Sequence, residues 1–382
     1  MAVLNTEVLE WSVARSGLSD EQIVKAFPKY HAWLDGSWKP TVKQLRDFAN
    51  KTHVSVSELF ANELPDYALQ IADFRTVDDV PAQDPSPELF DTIDAMMGRQ
   101  EWMREYFLHE GYSRVDFVGS YASAPLCEKT RGLIVNSLHK LLDLDDNWAA
   151  SCKTVGEALK TLKDHVEIAG ISVAINGVVN DNTHRVLETD EFRGFVLADD
   201  IAPIIFINGR DTKSAQIFTL VHELCHLAFA QTGVSNAPDD EDSDIDMERF
   251  CNTVAADFLV PTDILASRVD NCMDDVYPAL QDLTHICKVN FVVVARKAKD
   301  TGFIDEDTFF RVYRRYKDGM PEVAKLGKGG GDYFNTKQYR LGSVFSEAVL
   351  TAVHSDYLSY RDAYDLTGMS APSFKTYFEE VA

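Results

Sequence analysis

The sequence has no CxxC pair. Its cysteines, Cys127, Cys152, Cys225, Cys251, Cys272 and Cys287, are scattered, which excludes a cysteine zinc knuckle and a disulfide framework. No apolar run approaches the roughly 18 residues that a membrane span needs. The first residues, MAVLNTEVLEWS, show neither the basic start nor the apolar core of a signal peptide. The expectation is a cytoplasmic chain with reduced thiols and no membrane partner. Surplus positive charge is missing too: the net charge is −24, which argues against non-specific binding to DNA or anionic lipid, although a local patch can escape a global balance. Internal repeats and long low-complexity tracts are absent. What remains is a globular composition, 45% hydrophobic and 26% charged. Its 382 residues are too many for one ordinary core, so two or three domains are expected.

Residues 1–62 carry three helix-start signals of the capping-box type: Ser19 with Gln22, Thr41 with Gln44 and Ser55 with Glu58. Gly17, Gly36 and Pro40 punctuate them, and four or five short helices in so little chain predict a helix-turn-helix type fold. The order resembles the Xre/Cro-type helix-turn-helix module, with Trp33-Leu34-Asp35-Gly36 and Lys39-Pro40 where that family has its turn. The segment from Phe27 to Gly36 is about a turn short of a full recognition helix. Seven Lys/Arg face seven Asp/Glu in this region, so the basic footprint of a DNA reader is lacking. A degenerate module used for protein contacts or packing is the stronger reading, and DNA binding the weaker.

Residues 63–140 read as a linker, with Pro65, Pro81, Pro85 and Pro87, followed by helix from about Ser86, with Leu89, Ile93, Met96 and Met97 on one stripe. Gly170–Asn180 alternates like a strand, and Pro203–Asn208 is a short apolar run of the buried-strand kind. A core domain is expected over 141–265 and a C-terminal helical domain over 266–382, interrupted at Lys328-Gly329-Gly330-Gly331. The fold class expected is α+β, predominantly helical, with a small sheet.

The strongest chemical signal is His222-Glu223-Leu224-Cys225-His226, an HExxH motif in a helical segment, Ala215–Gln231. A spacing of four sets both imidazoles on one face, one turn apart, where they can ligate one Zn²⁺. Glu223 is rotated by about 100° from His222, which suits a general base working beside the metal. A third ligand is sought on the next helix, Asp246–Leu259, whose apolar stripe ends at Pro261. There Glu248 and Asn252 form an ExxxN arrangement, with Glu248 as zinc ligand and Asn252 hydrogen-bonding a ligand histidine. Taken alone, Glu248 also fits an exposed helix-start glutamate. The acidic run Asp239–Asp246 is read as a solvated loop that charges the next helix N-terminus, rather than as a cation site.

These residues match a family. FTLVHELCHLAF, followed by Glu248-x-x-Cys-Asn-x-Val-Ala-Ala-x-Phe-Leu-Val-Pro261, resembles the ImmA/IrrE zinc metallopeptidases. GISV, EFRGFVLADDIAPIIFIN and GGGDYFNTKQYRLG resemble the longer members that carry an N-terminal Xre-type module. The resemblance implies a gluzincin-like domain with one Zn²⁺ held by His222, His226 and Glu248, and with Glu223 as catalytic glutamate. It also implies limited proteolysis of a partner, commonly a helix-turn-helix repressor encoded nearby, in stress, mobile-element or phage-defence circuits. Asn252 fits the family pattern, and Val254 replaces its more usual phenylalanine.

The leading expectation is therefore a regulatory zinc endopeptidase. A partner-binding regulator or antitoxin of a toxin–antitoxin pair is the alternative, and a DNA-binding transcriptional regulator the third. Glu223 separates the first from an inert scaffold, which has no need of that carboxylate. The same ligands can accept manganese or cobalt. A substrate is expected to add as a strand at a sheet edge near 170–180 or 203–208. His285, Tyr333, His354 and Tyr360 are available to stabilise the oxyanion, though packing explains each one better. Within 285–340, twelve Lys/Arg against seven Asp/Glu include Arg311, Arg314, Arg315 and Lys317 among Tyr313 and Tyr316. A solvated amphipathic helix explains these better than a site for single-stranded nucleic acid.

Overall fold

The capping signals open helices in a computed structural model, which describes residues 4–61, 63–64, 86–235, 246–269, 275–319 and 333–381. The expected linker from residue 65 to residue 85, the acidic run over 239–245 and the glycines at 329–331 lie outside the described residues. The chain divides into two compact units, Met1–Asp94 and Ala95–Ala382.

In the first unit, α1 (Thr6–Arg15), α2 (Asp20–Ala26), α3 (Tyr30–Leu34) and α4 (Val42–Thr52) enclose a core of Val8, Leu9, Ile23, Tyr30, Trp33, Leu45, Phe48 and Leu59. The boxes at Ser19/Gln22 and Thr41/Gln44 are both reciprocally closed, at the starts of α2 and α4. The third box closes as well, with Glu58 Oε2 2.6 Å from Ser55 N and Ser55 Oγ 3.2 Å from Glu58 N. It opens a single 3₁₀ turn, Glu58–Phe60, rather than an α-helix. Helix α3 has five residues, and its aromatics Tyr30 and Trp33 turn inward onto Phe48. So short a helix, with its largest side chains in the core, has little left to offer a groove. Arg15 donates to the His53 carbonyl at 3.0 Å and pairs with Asp91 at 2.7 Å.

Helix α5 (Pro87–Glu110) follows. Leu89, Ile93 and Met96 are buried along it, but Met97 is 36% exposed. Three and four residues apart, the first three stay on one stripe, and Met97 falls on its margin.

The second unit builds on α6 (Glu128–Leu142), α7 (Val155–Ile168), β1 (Ser172–Asn176), β2 (Gly194–Leu197), β3 (Ile204–Asn208), α8 (Lys213–Ala228), β4 (Gly233–Ser235) and α9 (Asp246–Leu259). The sheet order is β1-β3-β2-β4, with β1 and β3 parallel and the other pairs antiparallel. Every residue of α8 from Ala215 to Ala228 is buried, because β2 and β3, α7 and α9 all pack on it. Then come α10 (Thr262–Val269), α11 (Tyr277–Cys287), α12 (Phe291–Asp300), α13 (Glu306–Asp318), α14 (Tyr333–Leu341), α15 (Ser343–His354), α16 (Tyr360–Thr367) and α17 (Ala371–Val381). The architecture is α+β and mostly helical. No helix among the described residues is long and apolar enough to cross a membrane.

Two expectations change here. The C-terminal helices do not begin a separate core at 266, since Leu280, Leu283, Phe291 and Val294 share one apolar cluster with Ile217, Leu224 and Phe258. Strand β3 is not an edge either: β1 and β2 occupy both its hydrogen-bonding sides. The open side of β1 meets α14 and α15. Between them Gly342, at φ +79°, comes so close that a Cβ would lie 2.8 Å from the Val173 carbonyl oxygen. Nearby, the Ser343 amide and hydroxyl both donate to Glu167 at 2.8 Å. Among the described residues the other outer strand is β4.

On α13 the aromatics are used for packing. Tyr316 stacks on Phe291 at 4.7 Å and Tyr313 on Phe309 at 5.9 Å, while Arg315 pairs with Asp275 at 2.6 Å. That arrangement is an amphipathic helix with a solvated basic face.

Phe48 is fully buried among Phe27, Tyr30 and Trp33. Phe48→Ala should cost about 3–5 kcal/mol. Hydrogen exchange should then show α1–α4 losing protection while α8 and α9 keep theirs.

Candidate metal centre

Helix α8 starts on Thr212, whose side chain accepts from the Ala215 amide, and it carries the motif two turns in. With no exposed face in that stretch, His222, Glu223 and His226 are held at 4%, 0% and 2% exposure. Helix α9 packs alongside and brings Glu248 to them from its first turn. His222 Nε2 lies 3.1 Å from one Glu248 oxygen, His226 Nε2 lies 3.0 Å from the other, and the two Nε2 atoms are 3.0 Å apart. His226 Nδ1 is 3.3 Å from Gln231 Oε1. With Nδ1 donating to Gln231, Nε2 is the nitrogen that would offer its lone pair to a metal ion, in place of the proton it otherwise shares with Glu248. His222 Nδ1 is buried with no hydrogen bond among the described residues, and its ring is set by Phe218 and His226, centroids 6.4 and 4.8 Å away.

The electrostatics follow from this convergence. Burial opposes a charge on His226, but the hydrogen bond to Glu248 and the charges of Glu223 and Glu248 outweigh it and push its pKa up to about 9. Burial likewise opposes ionisation of Glu248, yet hydrogen bonds from His222 and His226 hold its carboxyl well below the usual range. The cluster is thus built around a positive charge between two imidazoles and a carboxylate.

Three donors within 4.8 Å of one another can share one cation. Ligands at about 2.0–2.1 Å in a tetrahedron sit about 3.3 Å apart. The observed 3.0–3.1 Å is within a few tenths of that spacing. Two nitrogens and one carboxylate form a borderline donor set suited to zinc-like ions, so the residues fit such a metal. Buried Cys225 and Cys251 lie alongside, and burial together with Cys225 raises the Cys251 thiol well above its ordinary pKa.

Glu223 lies against β2. A Cβ on Gly194 would fall 3.1 Å from Glu223 Oε1, 2.6 Å from Thr219 Cγ2 and 2.9 Å from the Phe206 carbonyl oxygen. The missing side chain at Gly194 is what lets α8 approach the sheet with its glutamate buried. A glycine inside the apolar run GFVL is the signal in the sequence that marks this approach.

The structure brings His222, His226 and Glu248 together and sets Glu223 on the same helix. Asn252 makes no hydrogen bond to either imidazole among the described residues. One turn beyond Glu248, it lines a cavity instead. His285 and His354 are on exposed helix faces, and the ring contacts of Tyr360 are with Tyr364 and Phe374. None of the three is joined to the cluster, and the Tyr333 side chain lies outside the described residues.

Gly194→Ala should force α8 away from β2, lowering the midpoint of thermal unfolding and weakening metal uptake at least tenfold in a competition assay against a chelating dye. Residues 166–299 match the family model of the IrrE N-terminal-like domain (Peptidase_M78), and residues 341–380 match a domain of unknown function (DUF8813). No curated protein matches the chain. The first stretch runs from the end of α7 to α12 and holds Gly194, His222, Glu223, His226, Glu248 and Asn252, so the candidate metal centre lies wholly in the part of the chain that is similar to IrrE-type peptidases.

Proposed function

We propose that this chain is a zinc-dependent endopeptidase that carries out limited, regulatory proteolysis of a partner protein. A helix-turn-helix repressor acting in a stress, mobile-element or phage-defence circuit, in the cytoplasm, is the partner class proposed. The observation that carries the reading is the meeting of three donor side chains within 4.8 Å beside a fully buried glutamate on the same helix. The similarity of residues 166–299 to a peptidase domain supports it. Residues 1–62 serve in this reading as a module for protein contacts, in keeping with their balanced charge and the five-residue α3.

His222, His226 and Glu248 would hold the ion. When bound, it would supply Lewis-acid polarisation of a scissile carbonyl and make a nearby water more acidic. Glu223 takes the proton of the attacking water and passes it to the leaving amine. Its burial keeps bulk water from competing for that proton. The substrate backbone lies along the outer side of β4, whose Ser235 pairs with Gly194, the residue that abuts Glu223.

His226→Ala should lose zinc, read as metal content after dialysis. Glu223→Gln should keep it and lower the rate of partner cleavage by about 10²–10⁴-fold, the usual contribution of a general base. Zinc-loaded Glu223→Gln protein used as bait in the native host should retain the substrate, and wild type should cut that partner at one site, followed by intact mass. Equal zinc loss in both variants would contradict the assigned roles. A stoichiometric partner that wild type leaves whole would favour a binding regulator.

A further inference from the structure

We propose that Gln231 is a positioning residue of the metal centre: by accepting a hydrogen bond from His226 Nδ1, it leaves Nε2 of that ring bare and aimed at the ion. The proposal rests on the zinc reading above and adds the side chain on which one of the two histidine ligands depends.

The backbone of Gln231 is held on both sides. Helix α8 is followed by a left-handed residue, Ala230 at φ +54°, whose amide donates to the Leu227 carbonyl at 3.0 Å. The next amide, that of Gln231, donates back to the His226 carbonyl at 3.1 Å. From outside the helix, the Gly119 and Tyr121 amides donate to the carbonyls of Leu227 and Ala228 at 2.9 and 2.8 Å. Beyond Gln231, the Thr232 hydroxyl oxygen accepts from the Ala198 amide at 2.9 Å, and Gly233 opens β4 against Val196. Gln231 is therefore fixed relative to His226 by bonds that do not involve its own side chain. That side chain then closes a second link to the same residue, with Oε1 3.3 Å from His226 Nδ1.

The second link decides which nitrogen faces the cluster. A neutral imidazole carries one proton, and only the nitrogen without it can bind a metal. Glu248 lies 3.0 Å from His226 Nε2 and draws the proton there, so an acceptor at Nδ1 is needed to draw it the other way. Gln231 supplies that acceptor. His222 has no such aid, because its Nδ1 is buried without a hydrogen bond among the described residues. Asn252, the amide expected in this role from the sequence, lines the neighbouring cavity instead. Orienting a ligand through its far nitrogen therefore falls to Gln231, in the turn between α8 and β4. A glutamine does this as a neutral acceptor, adding no further carboxylate to Glu223 and Glu248.

The test measures the zinc affinity of the full chain by competition with a chelating dye. In Gln231→Leu the zinc dissociation constant should rise about 10–100-fold, the usual effect of removing the partner of a ligand histidine. Gln231→Met is the second variant should the first fail to fold, since it keeps the side-chain length without a comparable acceptor. Gln231→Glu retains the acceptor and should bind zinc at least as tightly as wild type. Proton NMR of the cobalt-loaded chain separates orientation from packing, because the ion shifts the ring N–H signals of its histidine ligands clear of the rest. One of these protons should exchange faster with solvent in Gln231→Leu and return to its wild-type rate in Gln231→Glu. Wild-type affinity in Gln231→Leu and Gln231→Met, or unchanged exchange of both protons, would overturn the positioning role. Equal zinc loss in Gln231→Glu and Gln231→Leu would overturn it too and make the residue a packing element. A wild-type chain that takes up no zinc fails the metal centre, and the proposal with it. Zinc uptake indifferent to position 231 fails the proposal alone.

Discussion

Helix α8 is buried on every side between a sheet and two helices, and that burial governs the rest of the centre. A helix in such surroundings sets the two imidazoles at a desolvation cost that partners must offset. The fold meets this by bringing Glu248 from α9 to both histidines at 3.0–3.1 Å. Gly194 meets the geometric half of the problem by letting β2 come within contact of Thr219 and Glu223. Closely packed walls have little freedom to relax, so the donor atoms are held near ligand spacing before any ion arrives.

The same compactness requires the charged groups inside the fold to be paired. Asp257 ties Arg131 of α6 to Lys297 of α12 and so fixes one wall of the cavity that Asn252 lines. Elsewhere the buried ionic groups serve the frame: Asp181 joins Lys337 and Arg340 of α14, and Glu167 holds Lys163 and Ser343. These contacts seat the C-terminal helices against β1, the outer strand of the sheet opposite β4.

The candidate metal ligands are the most legible part of the sequence because both histidines sit on one helix, where spacing alone fixes their relation. Glu248 needed the apolar stripe of α9, which runs over Asp246–Leu259 as expected. Helix α8 and strands β1 and β3 were legible from apolar patterning. Strand β2 has four residues and β4 three, too few for any period to show. The order of strands was not legible, since nothing in PIIFIN says whether it is an edge or a centre. The cavity that Asn252 lines was hidden for a similar reason: Arg131, Arg193, Arg249 and Arg296 stand far apart in the chain and meet only in the fold. The expected boundary at 266 failed because a change to mostly helical pattern does not imply a new core.

The central claim is that one ion is held by two imidazoles and one carboxylate, although Cys225 and Cys251 are buried close by. X-ray absorption at the zinc edge of the reconstituted full chain addresses that claim directly. The account predicts nitrogen and oxygen scatterers at about 2.0–2.1 Å, with the multiple-scattering pattern of two imidazoles. A sulfur shell at about 2.3 Å, or a single imidazole, would contradict it.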